Sequence, residues 1–331
     1  MKIIVDAMGG DHAPQVPVEG ALSAIKEISA DIVLVGDEAR IESLLQRARY
    51  SGNRITIHPA SQVIEMHESP ATSVRRKRNS SIVVGVDLVK KGVGDAFLSA
   101  GNTGALVCAA TLGLGLLPGI ERPGIAIITP TLKGSSLIVD VGANIDPKPV
   151  QLLQYAIMAK AYCENILDKT NPSVGLLNVG EEEGKGTDFL KETYELLSKA
   201  PINFIGNVEG KALFSGVCDI VVCDGFIGNV ALKVTEGAAE AMQVFLKRHL
   251  LKSNFLGKLG LILLKPTLIK FKRDLDYSEY GGAPLLGVNG VVIKGHGRSN
   301  AKAIKNAIKA ASAEVERKVN QKILDTLNSL K

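Results

Sequence analysis

The chain has no tryptophan and few other aromatic residues, eight Phe and six Tyr among 331 positions, so Val, Ile, Leu and Ala must fill its core. Four cysteines occur, Cys108, Cys163, Cys218 and Cys223, all set among apolar neighbours and none in a Cys-x-x-Cys or Cys/His spacing. A disulfide scaffold and a zinc site of familiar spacing are therefore not expected, and reduced core cysteines of a cytosolic protein are. Met1 leads straight into the strand pattern Lys2-Ile3-Ile4-Val5, so a signal peptide is not expected. One uncharged run, 96–120, has the length of a bilayer span, but Ser99, Asn102, Thr103, Thr111, Pro118 and five glycines make it a strand, loop and buried helix instead. A Walker loop, a Gly-x-Ser-x-Gly elbow, a Ser/His/Asp order and metal-ligand spacings are missing. The turn after the first strand pattern lacks the Gly-x-Gly-x-x-Gly of a dinucleotide site. Covalent catalysis and nucleotide binding thus have no motif behind them.

What is present is 46% hydrophobic residues, 34 glycines and a βαβα rhythm: strand patterns at Ile3–Val5, Ile32–Val35 and Ile55–Ile57 alternate with helical ones over 16–28 and 38–49. This predicts one intertwined α/β domain over 1–331, a mostly parallel sheet between two helical layers. Ile125–Ile128 and Ser136–Val139 flank Lys133-Gly134 as an antiparallel hairpin inserted in that pattern. The chemistry gathers at strand ends. Asp6-Ala7-Met8-Gly9-Gly10, Ser99-Ala100-Gly101-Asn102-Thr103, Asp140-Val141-Gly142-Ala143-Asn144, Asn178-Val179-Gly180 through Lys185-Gly186, and Asp224-Gly225-Phe226-Ile227-Gly228-Asn229 all combine glycine with amides, small hydroxyls or acids. In open α/β sheets such ends bind ligands, and a helix start offers N–H groups to an anion. The last stretch reads as a glycine turn before a helical pattern from Thr235, and a plain strand-to-helix turn fits its spacing equally well.

Arg75-Arg76-Lys77-Arg78 reads as a site for an acidic partner or as a solvated helix face. Lys185 between glycines could place an ammonium over a phosphate, or be an exposed loop lysine. His296, between Gly295 and Gly297, is weaker support for a site. The segment 247–273 holds eight Lys/Arg and no Asp or Glu, a local +8 within a chain of net +5, so the remainder sums to −3. With Pro266 interrupting its leucines, it predicts a projecting amphipathic helical hairpin. Such a hairpin suits an anionic membrane surface or a subunit interface.

Taken together, the motifs at 6–14, 99–105, 140–144 and 224–229, with Tyr280-Gly281-Gly282-Ala283-Pro284-Leu285-Leu286-Gly287 and His296-Gly297, resemble end to end the PlsX family of acyl-acyl-carrier-protein:phosphate acyltransferases. The resemblance implies a three-layer α/β/α fold like that of phosphotransacetylase and the isocitrate/isopropylmalate dehydrogenases. It implies attack of inorganic phosphate on the thioester of an acylated carrier protein, without cofactor or metal, giving an acyl phosphate. A downstream glycerol-3-phosphate acyltransferase would use that product for phospholipid synthesis. A homodimer resting peripherally on the inner face of the membrane is implied as well, and no nucleic acid. On this basis Lys185 and Asn229 are expected to be catalytic, with Asn102, Thr103, Asn144, Asp224, Gly228 and His296 binding substrate. Arg75 to Arg78 are expected to dock the acidic carrier, and Leu256, Lys258, Leu259, Leu263 and Lys265 to touch the membrane. The competing readings are a phosphotransacetylase or phosphotransbutyrylase acting on short acyl-CoA, and a non-catalytic scaffold at a membrane surface.

Overall fold

The computed structural model describes residues 1–251, 263–267 and 281–329. Its first part alternates β1 (Lys2–Asp6), α1 (Gln15–Ala24), β2 (Asp31–Gly36), α2 (Glu38–Arg47) and β3 (Ile55–Pro59). Then come α3 (Pro70–Arg76), α4 (Ser81–Lys90), β4 (Ala96–Ser99) and α5 (Thr103–Leu114). The hairpin β5 (Gly124–Thr131) and β6 (Gly134–Val139) leads to α6 (Pro149–Ile166), β7 (Ser173–Leu177), α7 (Asp188–Lys199) and β8 (Asn203–Val208). After α8 (Ala212–Ser215) and β9 (Ile220–Val222) runs the long α9 (Gly225–Leu251). Residues 263–267 are helical (α10), and the chain closes with β10 (Ala283–Leu286), β11 (Val291–Lys294), α11 (Ala301–Glu316) and α12 (Val319–Ser329).

The described strands form one 11-stranded sheet in the order β3-β2-β1-β4-β11-β10-β5-β6-β9-β7-β8. Its first block, from β3 to β11, is parallel, and so is its last, from β6 to β8. Between them β10 is antiparallel to β11 and to β5, and β5 is antiparallel to β6, so the two blocks run in opposite directions. The expected hairpin is the β5–β6 pair, in register from Ala126↔Val139 to Thr131↔Gly134.

Strand periodicity distributes the core. Ile4, Phe97, Val292, Ile125, Ile138 and Val221 share one face and pack with α4, α5 and the first turns of α9. Ile3, Val5, Ile32, Leu34 and Ile293 point the other way, beneath α1 and α11. Ala126, Leu137, Val139, Ile220 and Val222 do the same in the second block, beneath α6 and α12. Both faces are covered, which is why the strands read as unbroken apolar runs. The sheet is thus the middle of three layers.

Two boundaries differ from the sequence reading. Helix α1 stops at Ala24 rather than Ile28, its end tightening into the turn Glu27 N–H to Ala24 carbonyl. Helix α9 begins at Gly225, ten residues before Thr235, because Asp224 Oδ1 caps the Ile227 N–H at 2.9 Å and the glycines let the first turn sit directly on neighbouring backbone. From 241 to 249 every residue of α9 is exposed, Met242, Val244, Phe245 and Leu246 among them, so the helix leaves the body of the protein. Leu263, Leu264 and Lys265 are exposed too. The rest of the expected hairpin, with Leu256, Lys258 and Leu259, lies outside the described residues.

One buried acid predicts a pH response. Glu314 of α11 is buried beside Tyr162, whose hydroxyl donates to it at 3.2 Å, and burial pushes its pKa up to about 8 from 4.5. Between those values the folded chain holds a proton that the unfolded chain releases, so Glu314 makes stability fall as pH rises from about 4.5 to about 8. Glu314→Gln keeps the acceptor for Tyr162 and should raise stability at pH 8 by about 1–3 kcal/mol, with little effect at pH 4.5. Urea unfolding of both forms at several pH values checks this, and parallel pH profiles would refute it.

Candidate active site

In the second block, the strand ends of β6, β9 and β7 lie side by side and each opens into a loop singled out from sequence. Asp140 organises the first. It is fully buried, and its carboxylate accepts the N–H groups of Ile125, Gly142, Ala143 and Asn144 at 2.7–3.0 Å. Burial raises its pKa and these four bonds pull it down. The loop then receives the start of α9: the Gly225 N–H donates to the Asn144 carbonyl at 2.8 Å. A Cβ added to Gly225 would stand 2.4 Å from that carbonyl oxygen, and one on Gly228 only 1.9 Å from the Asp140 carbonyl oxygen. Gly228 therefore shapes the site rather than presenting a group to it.

This contact sets Asn229 at the surface, its amide against Gly142, where a Cβ would meet it at 3.6 Å. Among the described residues the Asn229 side chain makes no hydrogen bond. The Nδ2 groups of the other candidate amides are engaged. Asn144 Nδ2 donates to the Pro123 carbonyl and the Tyr155 hydroxyl, both at 2.6 Å. Asn102 caps α5 by accepting the Ala105 N–H, and its Nδ2 holds the carbonyls of Glu65, Met66 and Glu68. The Asp224 carboxylate is the α9 cap. These three, expected to bind substrate, also hold loops in place. Thr103, half-buried, opens α5.

Lys185 sits in the exposed loop after β7, its stem over Gly180, with its backbone carbonyl held by Asn178 Nδ2. Among the described residues no carboxylate pairs with its ammonium. Of the four cations at 75–78, Arg75, Arg76 and Arg78 are exposed, but Lys77 turns inward to the Val63 carbonyl and the Glu68 carboxylate, which leaves three for a partner.

The first block carries a counterpart to Asp140. Asp6, buried at the end of β1, accepts the Ser99 hydroxyl at 2.6 Å and the Met8 N–H at 3.0 Å. Beside it a cavity of about 190 Å³ is lined by Asp6, Met8, Asp11, Ile64, Glu65 and Met66 among others. Helix α9 joins the two blocks. From Gly225, packed on the Asp140 loop, about 12 Å of helix brings Lys233, and about 16 Å Glu236, to the loop after β11. There His296 Nε2 lies 3.5 Å from Glu236 Oε1 and 3.5 Å from Lys233 Nζ, and its Nδ1 accepts the Arg298 N–H at 3.1 Å. Burial pushes the Glu236 pKa up, but its bonds to His296 and Lys233 outweigh this and hold it at about 2. Asn229, Lys233 and Glu236 recur at helical spacing and so share one face of α9. Sequence reasoning named Asp6 only within its strand-end motif and gave Lys233 and Glu236 no role. The spacing from Asn229 could have found the last two, had the helix start been placed at Gly225.

Burial holds all four thiols in the protonated form: Cys218 is pushed up to about 11, Cys163 to about 12, Cys223 well above its ordinary value, and Cys108 is also raised. A protonated thiol is a poor nucleophile. What the site offers instead is amide and ammonium groups, the means of holding an anion.

Comparison with known proteins agrees with this chemistry. The fatty acid synthesis protein family matches residues 1–322. Phosphate acyltransferase of Dictyoglomus turgidum is 52% identical over 332 residues, all of this chain and 98% of that one. The Brevibacillus brevis phosphate acyltransferase is 50% identical, covering 99% of this chain and 97% of its own. Among solved structures, a phosphotransacetylase from Streptococcus pyogenes superposes with a TM-score of 0.64 at 19% identity, covering 95% of this chain and 94% of its own. A branched-chain phosphotransacylase from Enterococcus faecalis does so at 0.58 and 14%, covering 95% and 99%. These two show a shared fold, the α/β/α architecture expected from the sequence. Over its whole length, this chain belongs to the fatty acid synthesis protein family, as a phosphate acyltransferase, an enzyme of acyl transfer to phosphate.

Proposed function

We propose that the acyl donor is a long-chain acyl-acyl carrier protein, and that phosphate attacks its thioester directly, with no acyl-enzyme. A phosphate oxygen forms the new bond to the carbonyl carbon, the C–S bond breaks, and the carrier leaves as thiolate to take a proton from water. Phosphate is a nucleophile at neutral pH, so the enzyme has to orient it and stabilise the tetrahedral oxyanion. The observation that carries this reading is the Asn229 amide, exposed and uncommitted at the start of α9, whereas the Nδ2 groups of Asn102 and Asn144 are already engaged. Asn229 would orient phosphate, and Lys185, after the adjacent strand, would hold phosphate or the oxyanion. The exposed Arg75, Arg76 and Arg78 suit an acidic carrier, whose on-rate would fall with salt. Comparing long-chain acyl-carrier protein with acetyl- and butyryl-CoA as donors tests the assignment: a higher kcat/KM for the short acyl-CoA would reverse it.

Two surfaces fit the remaining expectations. Phe226, Ile227, Val230 and Val234 are exposed on α9 and suit a second copy of the chain, which sedimentation at several concentrations would detect. The exposed outer end of α9, with Phe245, Leu246, Lys247 and Arg248, and the exposed Leu263, Leu264 and Lys265 of α10, suit an anionic membrane surface. Phospholipid synthesis, where an acyl phosphate would be passed to a glycerol-3-phosphate acyltransferase, would give that placement a use. Leu263→Glu combined with Leu259→Glu is expected to abolish cosedimentation with anionic vesicles and leave the dimer intact. A monomeric variant would assign these leucines to the interface instead.

A further inference from the structure

Lys294 is the last residue of β11, beside Ser99 of β4 in register. Ser99 in turn bonds Asp6 of β1, one step beyond the Val5↔Leu98 pair. Because Ile4, Phe97 and Val292 share a face, strand alternation puts Asp6, Ser99 and Lys294 in one row on that face, which α4, α5 and the first turns of α9 cover. The Lys294 side chain is buried, with the residue 8% exposed, and the hydrogen bond it makes is to the carbonyl of Gly295. An ammonium has three donors. Among the described residues no carboxylate comes within 4.0 Å of this one, and Asp6 is already occupied by Ser99 and Met8.

A buried cation with so few partners is costly unless an anion completes its surroundings. A second cation stands nearby: the Lys233 ammonium, on α9, lies 3.5 Å from His296, two residues beyond Lys294, and acts repulsively on Lys294, and Lys233 is one turn from Asn229. Two ammoniums brought together from different layers repel; Glu236, 2.8 Å from the Lys233 ammonium, and Asp6, which attracts Lys294, offset part of that repulsion, and a bound anion would offset the rest. We propose that Lys294 binds the phosphate substrate, sharing it with Lys233 and the Asn229 amide, so that the anion stands between β11 and α9 before it attacks. This rests on the phosphate-transfer reading given above.

The groups facing Lys294 are Asp6 and Asp11 from the β1 end and Lys233 from α9, with His296 and Glu236 beyond. Burial lowers the Lys294 pKa to about 8. Its charge, and with it the phosphate affinity, is therefore present below that pH and lost above it, where phosphate itself is already the dianion. The test is isothermal titration of inorganic phosphate, without acyl donor, into the wild type, Lys294→Met and Lys294→Arg, paired with steady-state kinetics. Lys294→Met should weaken phosphate binding and raise the phosphate KM roughly 10- to 100-fold, with the acyl-donor KM unchanged. Wild-type affinity should fall about tenfold per pH unit above 8, and that fall should disappear in Lys294→Arg, which leaves every facing group in place. Unaltered phosphate binding by Lys294→Met, an effect confined to the acyl-donor KM, or the same alkaline fall in Lys294→Arg would each overturn the proposal. If Lys294→Met does not fold, the comparison of wild type with Lys294→Arg decides. A wild type that binds phosphate but releases no thiol would refute the transfer reading and leave the site standing.

Discussion

Asn229→Ala is expected to lower turnover by about 10²–10³ while the protein stays folded, the loss typical of removing one preorganised donor to a developing oxyanion. The side chain is exposed and makes no hydrogen bond among the described residues, so its removal leaves no buried group unpaired. Stability should therefore change by less than about 0.5 kcal/mol. Lys185→Ala should behave similarly, its ammonium being equally exposed and without a carboxylate partner among the described residues. The two effects divide differently in the kinetics. If Asn229 acts on the tetrahedral intermediate, kcat and kcat/KM fall together; if it only positions phosphate, the phosphate KM rises instead. Near-normal turnover by folded Asn229→Ala would remove the residue from the mechanism.

Gly228→Ala is the second large effect, and it arises through backbone. Its Cβ would stand 1.9 Å from the Asp140 carbonyl oxygen and 2.9 Å from the Cys223 sulfur, so the first turn of α9 has to lift off the Asp140 loop. Overpacking of this kind typically costs 1–3 kcal/mol. The functional loss should exceed the stability loss, because the displaced turn carries Asn229 and, one turn on, Lys233. A drop in turnover of about 10² or more, in a variant that still melts cooperatively, is the expected outcome of combined calorimetry and thiol-release assays. Wild-type activity in this variant would mean that the close approach of α9 to the loop does not position the site.

The strand ends were legible because each combines an apolar run with glycine and a short polar side chain, a local pattern that needs no tertiary knowledge. The β5–β6 hairpin was legible for the same reason, through Lys133-Gly134. Which amides are free was not: Asn102, Asn144 and Asn229 look alike in sequence, and their differing fates depend on carbonyls of residues 65–68 and on Pro123. Lys294 follows the apolar run Val291-Val292-Ile293 and belongs to no motif. Its place beside Ser99 and Asp6 follows from β11, near the end of the chain, pairing with β4 nearly 200 residues earlier, a register that no local pattern encodes. The start of α9 was misplaced because Gly225 and Gly228 count against a helix by propensity. Here tertiary contact with the Asp140 backbone demands them.

The central claim is that phosphate attacks the thioester itself, and the most direct test is a rapid-quench experiment with enzyme in excess over long-chain acyl-carrier protein, with and without phosphate. Direct attack predicts no free carrier thiol until phosphate is added, then one equivalent of thiol together with one of acyl phosphate. A burst of thiol in the absence of phosphate, with the acyl group left on the protein, would contradict it.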